Sequence, residues 1–211
     1  MICKTPLTVI QGNADLLTET NLDDEQRLYA GYVVESSGQM QSYIQTLIDI
    51  SRAAVGYQLH IESIDLPAFM QHLFGYMESL CRTKEIRLQM NTVSLPQMLK
   101  FDRVLIERAI MNVISNGLDY SPQGGTLYVD VQSNNGFVEI SVTDEGTGFS
   151  KEALCHAQER FYMGDQSRNS KLHFGIGLYI TNSIMEQHNG QLILENSKET
   201  GGAKVTMKLP C

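Results

Sequence analysis

Two asparagines four residues apart, Asn112 and Asn116, could bind a metal ion together. On a helix, side chains at this spacing point the same way. An asparagine amide oxygen is a neutral ligand that suits Mg²⁺, which prefers oxygen and keeps several of its waters. A solvated pair of asparagines is the simpler alternative for this motif alone. Apolar residues on the opposite side of the helix are predicted to face the core: Ile110, Val113, Ile114 and Leu118.

An aspartate followed by two glycines, Asp144, Gly146 and Gly148, comes directly after a predicted strand. The strand has apolar side chains that point one way, namely Val138, Ile140 and Val142. A carboxylate held at the end of a sheet can accept a hydrogen bond from the exocyclic amine of adenine, which distinguishes adenine from guanine. An ordinary Asp-Gly turn is the alternative.

Two further glycines, Gly175 and Gly177, open a predicted helix. A glycine-lined helix start presents backbone N–H groups and the positive end of the helix dipole to a phosphate. The loop-rich stretch before it, residues 145–174, is predicted to be a lid over the phosphates, with a mobile surface loop as the alternative. In this order, the three motifs predict a pocket for an adenine nucleotide and its Mg²⁺.

A helical region is predicted at residues 5–54, and the elements that must position the pocket come after it. Thr5 and Pro6 suit the start of a first helix, and residues 19–24 are a polar connection to a second. Such an antiparallel hairpin leaves an apolar stripe that should pair with a second copy in a four-helix bundle, or pack on the rest of the chain. The stripe comprises Leu7, Ile10, Ala14 and Leu17 in the first helix and Leu28, Tyr32, Val33, Met40, Tyr43, Ile44, Leu47 and Ile50 in the second.

The pattern changes at residues 53–56, so we predict one domain at 1–54 and another at 55–211. The second domain is expected to be an α/β sandwich with a mixed sheet and helices on one face, which makes the whole chain α+β. Its predicted strands are residues 59–63, 86–90, 97–101, 125–131, 137–142, 191–194 and 203–209, and its predicted helices are residues 67–81, 102–118 and a last one ending at 187.

Composition excludes several classes of protein. The net charge is −8, which argues against a nucleic-acid or anionic-membrane surface. The four cysteines are scattered, which argues against disulfides or a zinc site and favours a reducing compartment. No apolar run approaches 18 residues and no signal peptide is evident, so we expect no membrane contact by this chain, although a longer parent protein could have one.

Taken together, the motifs resemble the sensor histidine kinases of two-component signalling. The resemblance implies a dimerisation hairpin followed by a gyrase-type (Bergerat) ATP-binding domain. Each motif of that family has a counterpart here: the first dimerisation helix at residues 4–12, the N box at 112–122, the G1 box at 144–148, the F box at 160–168, the later part of the G2 box at 175–178, and the G3 segment at 201–209.

The resemblance also implies a role for each site residue. Asn116, with Asn112, would hold Mg²⁺ and the phosphates of ATP or ADP, and Asp144 would bind the adenine amine. The other implied nucleotide contacts are Tyr120 at the base or ribose, Gly146 and Gly148 beside Asp144, Phe161 as the anchor of the lid, Arg168 at the γ-phosphate, and Gly175, Gly177 and Leu178 at the phosphates.

Partners and location also follow from the resemblance only. It implies a homodimer formed through residues 1–54 and a response-regulator receiver domain that takes a phosphoryl group on an Asp. It also implies a cytoplasmic location, with the parent protein anchored in the cell membrane.

The acceptor region departs from the family pattern. The family's phosphoacceptor histidine lies five residues before the proline, where this chain has Met1, and the acidic residue that usually follows is Ile2. Both the nucleophile and its proton acceptor are therefore missing from this sequence, and we expect no self-phosphorylation at this position. Truncation or re-engineering of a longer protein is one explanation, and a homologue that naturally lacks the acceptor is the other. Thr5 occupies the position that the family links to phosphatase activity on the regulator. The histidines elsewhere in the chain, His60, His72, His156 and His188, are expected to be structural or exposed.

The nucleotide region departs from the pattern as well. Asp119 replaces a usual basic residue, Met163 replaces another, and His173 and Phe174 replace small residues at the lid. These changes favour a second hypothesis, a dimerisation and docking module that has lost nucleotide binding. A third is another gyrase-type ATPase, such as a protein kinase acting on Ser, although the leading helices argue against it.

Overall fold

The computed structural model describes residues 4–158 and 176–211, without the side chains of Lys4, Thr5, Ser42, Thr46 and Ala54. The chain forms two compact units, the first ending at Ala54 and the second beginning at Val55. None of the helices in the described ranges is both long enough and apolar enough to cross a lipid bilayer.

The first unit consists of two helices, α1 (Lys4–Thr18) and α2 (Asp24–Val55). Helix α2 begins at a reciprocal cap. The Asp23 carboxylate accepts a hydrogen bond from the Gln26 backbone N–H at 2.8 Å, and the Gln26 side chain accepts one from the Asp23 N–H at 3.2 Å. The predicted pair of helices is confirmed.

Large apolar side chains remain exposed along both helices of this unit. Burial of such side chains is the main source of helix stability in proteins, so an uncovered stripe of this length indicates a surface that packs against something else. The exposed residues are Val9, Ile10, Leu16 and Leu17 on α1 and Leu28, Tyr29, Tyr32, Val33, Met40, Tyr43 and Leu47 on α2.

The second unit comprises, in the described part of the chain and in chain order, β1 (Glu62–Asp65), α3 (Leu66–Thr83), β2 (Arg87–Val93), β3 (Met98–Phe101), α4 (Arg103–Tyr120), β4 (Thr126–Asn134), β5 (Phe137–Thr143), α5 (Lys151–His156), α6 (Gly177–Gln187), β6 (Gln191–Asn196) and β7 (Ala203–Pro210). Five of these strands form a mixed sheet in the order β2-β4-β5-β7-β6, in which β2 and β4 are parallel and the other neighbours antiparallel. The predicted mixed sheet and the α+β class are therefore confirmed.

Two details of the prediction were wrong. The strand expected at residues 59–63 lies at Glu62–Asp65, because it pairs with β3 in a separate two-stranded antiparallel sheet. The stretch expected to be loop also contains helix α5. Ser150 caps this helix by accepting a hydrogen bond from the Ala153 N–H at 3.0 Å. A serine at this position is a sequence signal for a helix start, but the glycine-rich residues around it obscured that signal.

Helix α4 packs closely on the apolar face of the sheet. Asp102 caps it, as predicted, by accepting a hydrogen bond from the Leu105 N–H at 3.1 Å. A Cβ atom at Gly117 would lie 2.6 Å from the Leu127 side chain and 3.5 Å from that of Val142, so a larger residue there would require the buried Leu127 side chain to shift. The predicted inward residues Val138, Ile140 and Val142 are buried.

Buried His188 fixes how α6 lies beside α4. Its Nε2 accepts a hydrogen bond from the Asp102 N–H at 3.1 Å, and its Nδ1 lies 2.8 Å from the Ile184 carbonyl oxygen, to which it donates in the tautomer that this arrangement requires. The end of α6 is thereby tied to the start of α4, so the two helices run antiparallel. The start of α6 then falls beside the asparagines of α4.

Candidate functional site

The two asparagines of α4 contact the first residue of α6. The Asn112 amide nitrogen donates to the Gly177 carbonyl oxygen at 3.3 Å, across 65 residues of sequence. A Cβ atom at Gly177 would lie 3.7 Å from Nδ2 of Asn116 and 3.8 Å from Cβ of Asn112. Two motifs that the sequence placed far apart therefore form one wall of a site.

Asn116 has an amide that is available to a ligand. The residue is half-buried, and its side chain makes no hydrogen bond to any residue of the described ranges. Within those ranges no group of three or more His, Cys, Asp or Glu side chains could hold a metal ion by itself. A metal at Asn116 would therefore need oxygen ligands from elsewhere, and nucleotide phosphates and water are what Mg²⁺ usually takes.

The start of α6 offers backbone donors next to these amides. Its N-cap residue, Ile176, makes no side-chain capping hydrogen bond. N–H groups of a first helical turn need partners, and an anion satisfies them well because the helix dipole is positive at that end.

Asp144 lies at the other end of the site, directly after β5. It is 4% exposed, and its Oδ1 accepts hydrogen bonds from the N–H groups of Gly146 and Ala203, both at 2.9 Å. Oδ2 receives no hydrogen bond from the residues that the structure describes. Burial raises the pKa of this carboxyl, and that effect outweighs the lowering by the two backbone hydrogen bonds.

Glycines let three backbone segments meet at Asp144. A Cβ atom at Gly146 would collide with the Tyr120 carbonyl oxygen, and one at Gly202 would collide with the Asp144 carbonyl oxygen. The end of α4 and the β6–β7 connection are therefore both in contact with the turn after β5. Tyr120 lies beside this turn with 44% of its surface exposed, so its ring remains open to a ligand.

Asn196, at the end of β6, is a residue that sequence reasoning missed. Its Oδ1 accepts from the Phe149 N–H at 2.7 Å and its Nδ2 donates to the Phe149 carbonyl at 2.9 Å. A Cβ atom at Gly148, whose φ is +72°, would lie 2.8 Å from the same Oδ1. Asn196 therefore holds the glycine turn in place, across 47 residues that no local pattern connects.

Thr200 and Glu145 also fix the turn, and neither was predicted. The Thr200 hydroxyl donates to the Asp144 carbonyl oxygen at 2.8 Å. The Glu145 carboxylate accepts from the Thr126 N–H and from the Tyr128 hydroxyl, both at 2.9 Å, and the latter bond raises the pKa of Tyr128. Contacts with strand β4 and with the β6–β7 connection thus fix the backbone that carries Asp144.

We expect Asn196→Ala to lower ADP affinity about threefold to tenfold, because losing two hydrogen bonds of about 0.5–1.5 kcal/mol each lets the turn move. Calorimetric titration of ADP measures this effect. The matched control is Asn91→Ala, an exposed asparagine on β2. A variant with a lower melting temperature but unchanged ADP affinity would limit Asn196 to a structural role.

The negative charge of Asp119 is balanced by a neighbouring cation. Its carboxylate forms an ion pair with the ammonium group of Lys84, at the end of α3. The carboxylate that replaces the usual basic residue would repel phosphate, but its charge is offset by a neighbouring cation that the sequence did not indicate.

Of the remaining site residues predicted from the sequence, Leu178 lies in the described part of the chain and the others do not. Leu178 is half-buried in the first turn of α6. The others lie outside the part of the chain that the structure describes: Phe161, Arg168 and Gly175 of the predicted lid and phosphate contacts, the departures Met163, His173 and Phe174, and Met1, Ile2 and the side chain of Thr5 at the start of the chain.

The site therefore has two chemically different ends. At Asp144, a buried carboxylate with one open acceptor can select a hydrogen-bond donor on a flat base. At Asn116 and the start of α6, a neutral amide and backbone N–H groups can bind anionic oxygens and a hard cation. This arrangement suits a nucleoside polyphosphate.

Two family models match the chain. Residues 101–211 match the "Histidine kinase-, DNA gyrase B-, and HSP90-like ATPase" family, and residues 4–56 match the "His Kinase A (phospho-acceptor) domain" family. The first match covers helices α4, α5 and α6 and four strands of the five-stranded sheet, but it includes neither β2 nor α3.

Curated relatives match almost the entire chain. Sensor histidine kinase SpaK of Bacillus subtilis is 35% identical over 98% of this chain and 45% of its own length. Sensor protein SphS of Synechococcus elongatus is 30% identical over 98% of this chain and 52% of its own length. The chain thus spans about half the length of these relatives.

Solved structures share the fold. Full-length ShkA in complex with AMPPNP has a TM-score of 0.82 at 22% identity, covering 98% of this chain and 43% of that one. Histidine kinase ThkA in complex with response regulator protein TrrA has a TM-score of 0.70 at 18% identity, covering 98% of this chain and 58% of that one. At these identities the likeness concerns the fold alone.

Proposed function

Because this chain belongs to the sensor histidine kinases of two-component systems, we propose that residues 55–211 are its ATP-binding catalytic domain and residues 1–54 its dimerising helical hairpin. The observation that carries the nucleotide proposal is the pairing of a buried carboxylate at Asp144 with the Asn116 amide and with the start of α6, whose N-cap residue Ile176 makes no side-chain capping hydrogen bond. Both ends of a nucleotide would then have a complementary partner.

Adenine would bind at the Asp144 end. Since Oδ1 is already occupied by two backbone N–H groups, Oδ2 is the atom that would accept a hydrogen bond from the adenine amine. Guanine carries a carbonyl oxygen at that position and would be repelled by the carboxylate. The exposed ring of Tyr120, with Gly146 and Gly148 leaving room beside it, would contact the base or ribose.

The phosphates and Mg²⁺ would bind at the other end. Asn116 would supply the metal-ligating amide oxygen, and Asn112 would contribute its own oxygen while its nitrogen holds Gly177. Mg²⁺ would supply charge neutralisation at the phosphates. Gly175, Gly177 and Leu178 would line the phosphate path, with Phe161 anchoring the lid and Arg168 contacting the γ-phosphate.

The reaction of the full-length protein would be phosphoryl transfer in two steps. The γ-phosphoryl group would pass from ATP to a histidine nitrogen, releasing ADP, and then to an aspartate of a response-regulator receiver domain. The matched His Kinase A family and the uncovered apolar stripe on α1 and α2 support a homodimer through residues 1–54. Thr5 would serve a separate reaction, hydrolytic removal of phosphate from the regulator, in which water takes the phosphoryl group and inorganic phosphate is released.

The location is proposed on the same basis. The relatives are sensor proteins about twice as long as this chain, which leaves room for a sensor region. We place this catalytic part in the cytoplasm and the full-length protein in the cell membrane.

Titration of ADP into the chain by calorimetry, with and without Mg²⁺, tests the nucleotide proposal. One saturable, Mg²⁺-sensitive site per chain is expected, with thermal stabilisation of about 2.7 kcal/mol at a hundredfold excess over Kd. No binding up to millimolar ADP would overturn it and favour the docking-module hypothesis.

A further inference from the structure

Lys84 lies at the C-cap of helix α3, outside residues 101–211 that match the ATPase family. Its ammonium group forms an ion pair with Asp119, 35 residues further along the chain. An exposed ion pair of this kind adds little to folding stability, so stability alone is a weak reason for its position.

The turn that carries Lys84 is fixed to the loop directly after α4 by its neighbour, Glu85. The Glu85 carbonyl oxygen accepts a hydrogen bond from the Gly124 N–H at 3.1 Å. The Glu85 carboxylate accepts a second one from the Gln123 amide at 2.5 Å. Two contacts from the adjacent residue therefore hold Lys84 near the end of α4.

Asp119 lies on the asparagine side of α4. It follows Asn116 by three residues, which places the two Cβ atoms about 5–6 Å apart on a helix. The next residue, Tyr120, has its carbonyl oxygen against Gly146 in the Asp144 turn. Asp119 is therefore at the rim of the nucleotide site, where a carboxylate would repel phosphate unless a cation offsets it.

We propose that Lys84 is a nucleotide-binding residue, supplied from α3, which offsets the charge of Asp119 and presents an ammonium group to the phosphates of the bound nucleotide. This inference rests on the proposed function, because it presupposes that nucleotide binds along α4. The Lys84 side chain is 44% exposed, so its ammonium group has room to contact a ligand while it remains near Asp119.

Titration of ADP and adenosine into Lys84→Met tests the inference. At low salt, ADP should bind about threefold to tenfold more weakly than to the wild type, because the ammonium group that offsets the Asp119 carboxylate and contacts the phosphates is then missing. Adenosine, which has no phosphate, should bind equally well. The loss for ADP should shrink at high salt, where the charges are screened, and Lys84→Arg should keep most of the affinity.

Arg82→Met is the matched control, since it removes a cation from the same helix end, where Arg82 pairs with Glu78. A second test combines Lys84→Met with Asp119→Asn, which should recover ADP affinity relative to Lys84→Met alone. Equal affinities of Lys84→Met and Arg82→Met for ADP, or an equal loss for adenosine and ADP, would overturn the inference. Failure of the wild type to bind ADP would instead overturn the proposed function.

Discussion

Asp144→Asn should weaken ADP binding by about 1–3 kcal/mol, the cost of losing a charge-assisted hydrogen bond, which is about fivefold to 150-fold in Kd. The substitution keeps Oδ1 as the acceptor for the Gly146 and Ala203 N–H groups. It converts Oδ2 into an amide donor, which would face the donating amine of adenine. The turn should therefore survive while the base contact is lost.

Calorimetric titration of ADP and GDP measures this effect. The variant should also lose its preference for ADP over GDP, because its amide can donate to the guanine carbonyl. Asp130→Asn, an exposed aspartate on β4, is the control and should change neither affinity. Unchanged ADP affinity in Asp144→Asn would remove Asp144 from the base site.

The same variant has a predicted pH signature. Burial raises the pKa of Asp144 above its ordinary 3.8, so the native state holds the proton more tightly than the unfolded chain does. The protonated Asp144 carboxyl therefore makes its whole stabilising contribution to the free energy of unfolding below pH 3.8. That contribution is lost as the pH rises through the native pKa of Asp144. Urea denaturation should show wild-type stability falling relative to that of the variant as the pH rises from about 3 to about 7.

Asn116→Ala should abolish the dependence of ADP binding on Mg²⁺, because it removes the open amide oxygen beside the phosphate end of the site. Loss of a direct ligand should lower apparent Mg²⁺ affinity at least as much as the loss of an outer-shell contact, which costs about tenfold to a hundredfold. ADP titrations at a series of Mg²⁺ concentrations measure this dependence. Binding without Mg²⁺ should stay close to the wild-type value.

Asn134→Ala provides the control for this experiment. Asn134 is exposed and lies at the hairpin end of β4, whereas Tyr128 near the start of that strand pairs with Thr143, next to Asp144. A Mg²⁺ effect that persists in Asn116→Ala and equals that of Asn134→Ala would place the ion elsewhere.

Local patterns predicted most of the elements. Alternation of apolar residues gave β4 and β5, Asn134-Asn135-Gly136 gave their hairpin, and Asp102 gave the start of α4. These features depend on residues a few positions apart, so the sequence contains them directly. The strand at Glu62–Asp65 was displaced in the prediction because its register depends on pairing with β3, far along the chain.

The candidate site divides in the same way. The residue types that could bind a base, a phosphate and a metal were evident from the sequence at Asp144, Gly177 and Asn116. Their support was not: Asn196 reaches Phe149 across 47 residues, and Lys84 reaches Asp119 across 35. Those contacts exist only once the sheet and helices have packed.

The sequence by itself thus determined the leading pair of helices, the order of most elements and the residue types that stand at each strand end and helix start, since helical and strand periods are local properties. Only the tertiary structure decided which atoms remain open to a ligand. Oδ2 of Asp144 is available because backbone N–H groups from two different segments occupy Oδ1. The charge of Asp119 is offset because the end of α3 lies against the end of α4. Both outcomes depend on packing between distant segments, which no local pattern encodes.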